Sequence, residues 1–152
     1  MKISQLINRD SIVADLKADN KKSVIKELAA AISKVTNASE HDITTVLMDR
    51  EQLGSTGIGG GIAIPHGKLD AVDTIVVGIG LSKKGVAYES LDNKPVHIFF
   101  VLLTSNNSTG GHLKVLAQIS KLLKMEAFKS GLIAAQSSEE IFRIISDQDE
   151  AF

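Results

Sequence analysis

The chain has no cysteine, no tryptophan and only two prolines among its 152 residues. Without cysteine there is no disulfide, no thiol nucleophile and no thiolate-bound metal, and the composition suits a reducing compartment. The chain also lacks an excess of either charge. Its 17 basic and 18 acidic residues leave a formal net charge of −1, and the lysines are scattered along the sequence. A nucleic-acid partner ordinarily shows as a basic excess or stripe, so that class is set aside. Long hydrophobic runs are missing too. The longest, "TIVVGIGL" and "VHIFFVLL", fall far short of the ~20 residues of a membrane helix. The N-terminal "MKISQLINRD" has no apolar stretch followed by small residues, so it does not read as a secretory signal. The expectation is a cytoplasmic protein that inserts in no membrane, a single domain over residues 1–152.

Several catalytic and nucleotide motifs are also missing. Five glycines fall within residues 54–61 and invite a phosphate-loop reading, but the spacing refuses it. For a Walker A loop ending at Gly67 and Lys68, Gly61 stands one position too early, and Leu69 replaces the hydroxyl residue. A dinucleotide fingerprint from Gly57 and Gly59 needs glycine where Ile62 stands. A nucleophile elbow around Ser55 needs glycine where Leu53 stands. No histidine pair has zinc-protease spacing and no carboxylate-rich calcium loop occurs, so neither a metal nor a cofactor is expected.

What is present is an alternation of helical and strand patterns. A strand is expected over 11–16. A helix capped by Asp19 or Asn20 follows, with Val24, Leu28, Ile32 and Val35 on one face. A second helix opens on Ser39 and Asp42 as a capping box, turns Ile43, Val46 and Leu47 inward, and runs out between Glu51 and Gly54. A short strand spans 62–64. The two apolar runs are strands buried on both faces. Residues 105–111 form a polar loop leading to a helix from His112, with Leu113, Leu116, Ile119 and Leu123 on its buried side. Helices around 127–134 and after the Ser137/Glu140 capping box close the chain. The class is therefore α/β, a single mixed β-sheet flanked by helices on both faces.

Four histidines compete for a chemical role. His41 sits in a polar first turn and reads as a solvated surface residue. His97 lies within a buried strand and reads as hydrogen-bonded and inert. His66 is different. Pro65 fixes its own φ and biases Ile64 toward extended geometry, and Gly67 offers unobstructed backbone and access to positive φ. This places His66 at the carboxyl rim of a strand, where open α/β sheets bind ligands. His112 stands at a helix start, which favours anions. Arg50 stands near a helix C-terminus, either as a plain dipole-matching cation or as a planar fork for phosphate. Two histidines, an arginine and bare glycine backbone converge on a phosphoryl group.

These residues sit in recognisable blocks. "REQLGSTGIGGGIAIPHGKLDAV", residues 50–72, resembles the signature of phosphotransferase-system enzyme IIA domains of the fructose/mannitol/nitrogen-regulatory type. "HLKVLAQISKLL", residues 112–123, is similar to that family's second block, and the chain looks most like the nitrogen-regulatory branch. The resemblance implies that His66 is the phosphorylated nucleophile, attacking through Nε2 while a backbone carbonyl holds Nδ1–H. It implies that Arg50 and His112 stabilise the phosphoryl group and that Thr56, Gly61 and Gly67 belong to the substrate-binding loop. Gly60 departs from the asparagine of many members. The implied partners are a histidine phosphocarrier protein as donor and a regulatory target. Two other roles use the same residues: a sugar-transport component passing phosphate to a IIB partner, and a binding module that is never phosphorylated.

Overall fold

In the computed structural model, residues 2–106 and 109–150 are described. After a 3₁₀ turn at Ile3–Gln5 come β1 (Ile7–Val13), α1 (Lys21–Ser33) and α2 (Glu40–Gln52). Next are the short strands β2 (Gly57–Gly59), β3 (Ile62–Ala63) and β4 (His66–Lys68). The long strands β5 (Val76–Val86) and β6 (Val96–Thr104) lead to α3 (Thr109–Leu123), α4 (Glu126–Ala134) and α5 (Ser138–Glu150). The sheet order is β1-β5-β6-β3-β2, with β4 also on β6. The β1/β5, β3/β6 and β4/β6 pairs are parallel; β5/β6 and β2/β3 are antiparallel. The sheet is mixed, as expected.

Period-two geometry divides the core. On β6, Ile98, Phe100 and Leu102 pack with α3, α4 and α5, while Phe99, Val101 and Leu103 pack with α1 and α2. A strand buried on both faces reads as a continuous apolar run because neither face can remain polar. Three helices, α1, α2 and α5, start where a polar side chain satisfies an orphan N–H group, whereas α4 starts after Met125 with no side-chain cap. Asn20 accepts from Ser23 N at 2.9 Å, Ser39 from Asp42 N at 3.1 Å and Ser137 from Glu140 N at 3.2 Å.

Four expectations are corrected. The first strand covers Ile7–Val13, not 11–16. It is an edge strand whose exposed "NRD" centre and register break between Ile7 and Ile12 hide the apolar alternation. Strand β5 runs on through exposed Lys83 and Lys84 to Val86, so its apolar run understates its length. The third helix begins at Thr109, inside the expected polar loop; residues 107 and 108 of that loop lie outside the described residues. Leu113 is 61% exposed, and Val115 and Leu122 take the buried positions instead.

The segment carrying His66 is one strand interrupted by proline. Ile62 pairs with Ile98 and His66 with Leu102, so β3 and β4 keep one register along β6 across Ile64 and Pro65. Proline has no N–H for the ladder. The Pro65 carbonyl still accepts from Leu102 N at 2.9 Å, but Ile64 N turns to the Thr56 carbonyl at 3.1 Å. That turn leaves the Ile64 carbonyl for a side chain.

Candidate active site

His66 opens β4 beside Leu102, near the carboxyl ends of two parallel strands. It begins the resumed strand, where a rim just past the strand end was expected. Its Nδ1 lies 2.8 Å from the Ile64 carbonyl, and Arg50 Nε donates to its Nε2 at 3.3 Å. A carbonyl only accepts and a guanidinium N–H only donates, so these partners select the neutral tautomer with the proton on Nδ1 and the lone pair on Nε2. Arg50 comes from the last turn of α2, and its Nη1 donates to the Gly54 carbonyl at 2.9 Å. The guanidinium is thus anchored at one edge and directed at the imidazole with the other.

His112 enters from the first turn of α3. Its ring lies edge-on to His66, centroids 5.3 Å apart and planes at 64°. His112 is only 8% exposed. Burial, then the nearby His66 and Lys68 charges, hold its pKa below the ordinary histidine value, which favours the neutral ring. Thr104 Oγ1, fully buried at the end of β6, is 3.5 Å from His112 Nδ1. Arg50, His66 and His112 line a cleft of about 390 Å³ together with Val46, Asp49, Leu53, Gly67 and Lys68.

Gly67 has negative φ, contrary to the conformational role expected of it. Its requirement is steric: a Cβ there would lie 2.2 Å from Val46 Cγ1 on α2. Positive φ is concentrated in Gly59, Gly60 and Gly61, which turn β2 into β3. Arg50, His66, Gly67 and His112 therefore come together, but Thr56 and Gly61 do not line the cleft. The Gly61 carbonyl accepts from His97 N at 2.8 Å and Ile98 N at 3.0 Å in the sheet. Thr56 is buried, its hydroxyl donating to Glu51. His97 Nδ1 donates to the Ser82 carbonyl at 2.8 Å and His41 is exposed, as their sequence positions suggested.

The resemblance implied a backbone carbonyl at Nδ1 without naming Ile64, and sequence reasoning missed Thr104 and Glu51. No side-chain pattern signals a carbonyl, and a terminal strand threonine looks ordinary. Glu51 did leave a trace: an acid in the last turn of a helix opposes the macrodipole.

The fold and the clustered side chains define a histidine-centred α/β domain whose cleft, at the end of its parallel strands, gathers two imidazoles and a guanidinium. The chain belongs to the family described as "Phosphoenolpyruvate-dependent sugar phosphotransferase system, EIIA 2", whose profile matches residues 5–148. A nitrogen regulatory protein of Bradyrhizobium diazoefficiens is 34% identical over 146 residues, 96% of this chain and 95% of that protein. The fructose-specific EIIABC component of Bacillus subtilis is 34% identical over 151 residues, and this chain spans 99% of itself but 24% of that protein. The crystal structure of nitrogen regulatory protein IIA-Ntr from Neisseria meningitidis superimposes with a TM-score of 0.88 at 31% identity, covering 94% of this chain and 98% of that one. No described helix is long and apolar enough to cross a membrane.

Proposed function

We propose that the chain is a phosphoryl carrier that accepts phosphate on His66 Nε2 from a histidine phosphocarrier protein, and that it works mainly as a nitrogen-type regulator. The supporting observation is the two-sided clamp on the imidazole, Nδ1 on the Ile64 carbonyl and Nε2 facing Arg50. The Nε2 lone pair forms the new N–P bond as the donor's N–P bond breaks, and the donor nitrogen keeps that electron pair. The proton stays on Nδ1 against the Ile64 carbonyl, so no external base is needed. Arg50 first gives up its hydrogen bond to Nε2. Held by Gly54, it then turns its N–H groups to the phosphoryl oxygens. His112, kept neutral, offers an N–H from the first turn of α3. Phosphoryl transfer needs positioned donors more than covalent help, and losing one such donor costs about a hundredfold or more in rate.

Phosphorylation adds about −1.5 to −2 charges at a cleft whose apolar lining includes Leu53, 84% exposed. A target that binds one phosphorylation state and not the other would read that change. The end-to-end match to nitrogen regulatory proteins supports the regulatory role. The match to the fructose-specific component supports a second reading, transfer onward to a IIB partner in sugar uptake.

The test is incubation with phosphoenolpyruvate, enzyme I and the phosphocarrier protein. The wild type gains one acid-labile phosphate and His66→Ala gains none; label persisting on His66→Ala overturns the assignment. Transfer from the labelled chain to a IIB protein selects the transport reading. Binding of a target in one phosphorylation state selects the regulatory one.

A further inference from the structure

A buried ionic group lies behind the cleft without lining it. The Glu51 side chain is 2% exposed, and Lys21 Nζ lies 3.0 Å from its Oε1 with 12% exposure. Thr56 N donates to Oε1 at 3.0 Å, the Thr56 hydroxyl donates to Oε2, and Tyr88 OH lies 3.1 Å from that hydroxyl. Lys21 Nζ also sits 4.8 Å from the centre of the Tyr88 ring.

Local energetics do not favour a carboxylate here. The last turn of α2 presents the negative end of the helix dipole, and burial removes the charge from water. Departures from local preference of this kind concentrate at functional sites. The hydrogen bonds show where this one leads. Glu51 grips Thr56 at its N–H and its hydroxyl. The Thr56 carbonyl accepts from Ile64 N at 3.1 Å, and the Ile64 carbonyl holds His66 Nδ1. The same grip closes residues 51–56 into a loop whose Gly54 carbonyl anchors Arg50, the partner of His66 Nε2. Both nitrogens of His66 are therefore referred back to one carboxylate through separate branches.

We propose that Glu51 is a positioning residue for His66: its buried carboxylate, acting through Thr56, holds the carbonyl that sets the ring's tautomer and the loop that anchors Arg50. Lys21 supplies the countercharge that keeps this carboxylate in place. The kinetic consequence rests on the phosphoryl-carrier reading; the tautomeric consequence does not.

Two measurements separate these. In the unphosphorylated protein, ¹⁵N chemical shifts report the His66 tautomer. The wild type gives predominantly Nδ1–H, and Glu51→Ala gives an averaged mixture while the His112 shifts stay fixed. Glu51→Gln, which can still accept from Thr56 N, restores most of the wild-type pattern. In the transfer assay, Glu51→Ala lowers kcat about tenfold to a hundredfold with KM for the phosphocarrier protein little changed, as expected when a reacting group is misplaced by about 1 Å. If Glu51→Ala does not fold, Glu51→Asp replaces it, keeping the charge near Lys21 while drawing it back from Thr56. A folded variant of lower thermal stability with the wild-type tautomer and kcat makes Glu51 merely structural and overturns the proposal. A wild type that accepts no phosphate overturns the carrier reading, and the ¹⁵N measurement then decides the positioning role alone.

Discussion

Replacing Gly67 by alanine tests the coupling between α2 and the strand that carries His66. The added Cβ would lie 2.2 Å from Val46 Cγ1, with Val46 Cβ at 3.6 Å and the Val46 backbone carbon at 3.7 Å. Ordinary carbon contacts begin near ~3.5 Å, so more than about 1 Å of relief is needed. Valine in a helix strongly prefers one χ1 rotamer, so the relief comes from straining Val46 or from moving α2 off β4. Overpacking of this kind costs about 1–3 kcal/mol. For a chain of this size that corresponds to a fall in Tm of about 2–12 °C. Arg50 is four residues beyond Val46 on the same helix, so movement of α2 also lengthens its 3.3 Å contact with His66. Thermal melts followed by circular dichroism measure the first effect, and the rate of phosphate incorporation measures the second. Val46→Ala clears the space, so in that background the same glycine change costs less than about 1 kcal/mol. Gly110→Ala in α3 is the control: nothing lies within 4 Å of its Cβ and its φ is negative, so it stabilises by roughly 0.5–1 kcal/mol. A Gly67→Ala protein that melts with the wild type, or whose loss Val46→Ala does not relieve, refutes the steric account.

Two further predictions concern the charged groups. Arg50→Lys cannot both address His66 and hold the Gly54 carbonyl, because a single ammonium replaces a fork; transfer slows by about a hundredfold in the labelling assay while the protein stays folded. His112 favours its neutral form in the fold, so below its ordinary value of about 6.5 the unfolded chain binds more protons than the folded one. Its contribution to stability is therefore complete above about pH 6.5 and declines as the pH falls from there toward the lower folded pKa. Melts of the wild type and His112→Gln across that window show the wild type losing more stability on acidification, and equal slopes would remove the inference.

The elements that were legible in the sequence are those whose pattern follows from local chemistry. Ser39, Asn20 and Ser137 sit at helix starts because each offers an oxygen to an orphan N–H. "VHIFFVLL" reads as a central strand because both of its faces are covered. Strand β1 was misplaced because an exposed edge carries no such pattern, and Leu113 because a helix in isolation does not show which arc of its surface meets the sheet. The proline–histidine–glycine triplet was legible as a special backbone site, but the reason for its glycine was not. Steric exclusion by Val46 exists only once α2 has packed on β4.

The sequence alone determined the α/β alternation, the absence of thiol chemistry and the candidate trio Arg50, His66 and His112, because composition, caps and short-range backbone restrictions are properties of neighbouring residues. Tertiary structure decided which carbonyl holds His66 Nδ1–H, that Thr56 is held by Glu51 away from the cleft, and that Arg50 meets the imidazole. The Arg50–His66 contact exists only once α2 has packed on β4, while the Glu51–Thr56 and Ile64–His66 bonds span five and two residues and are set by how the chain turns after α2 and at Pro65. Such bonds are directional and short-ranged, so spacing along the chain does not encode them.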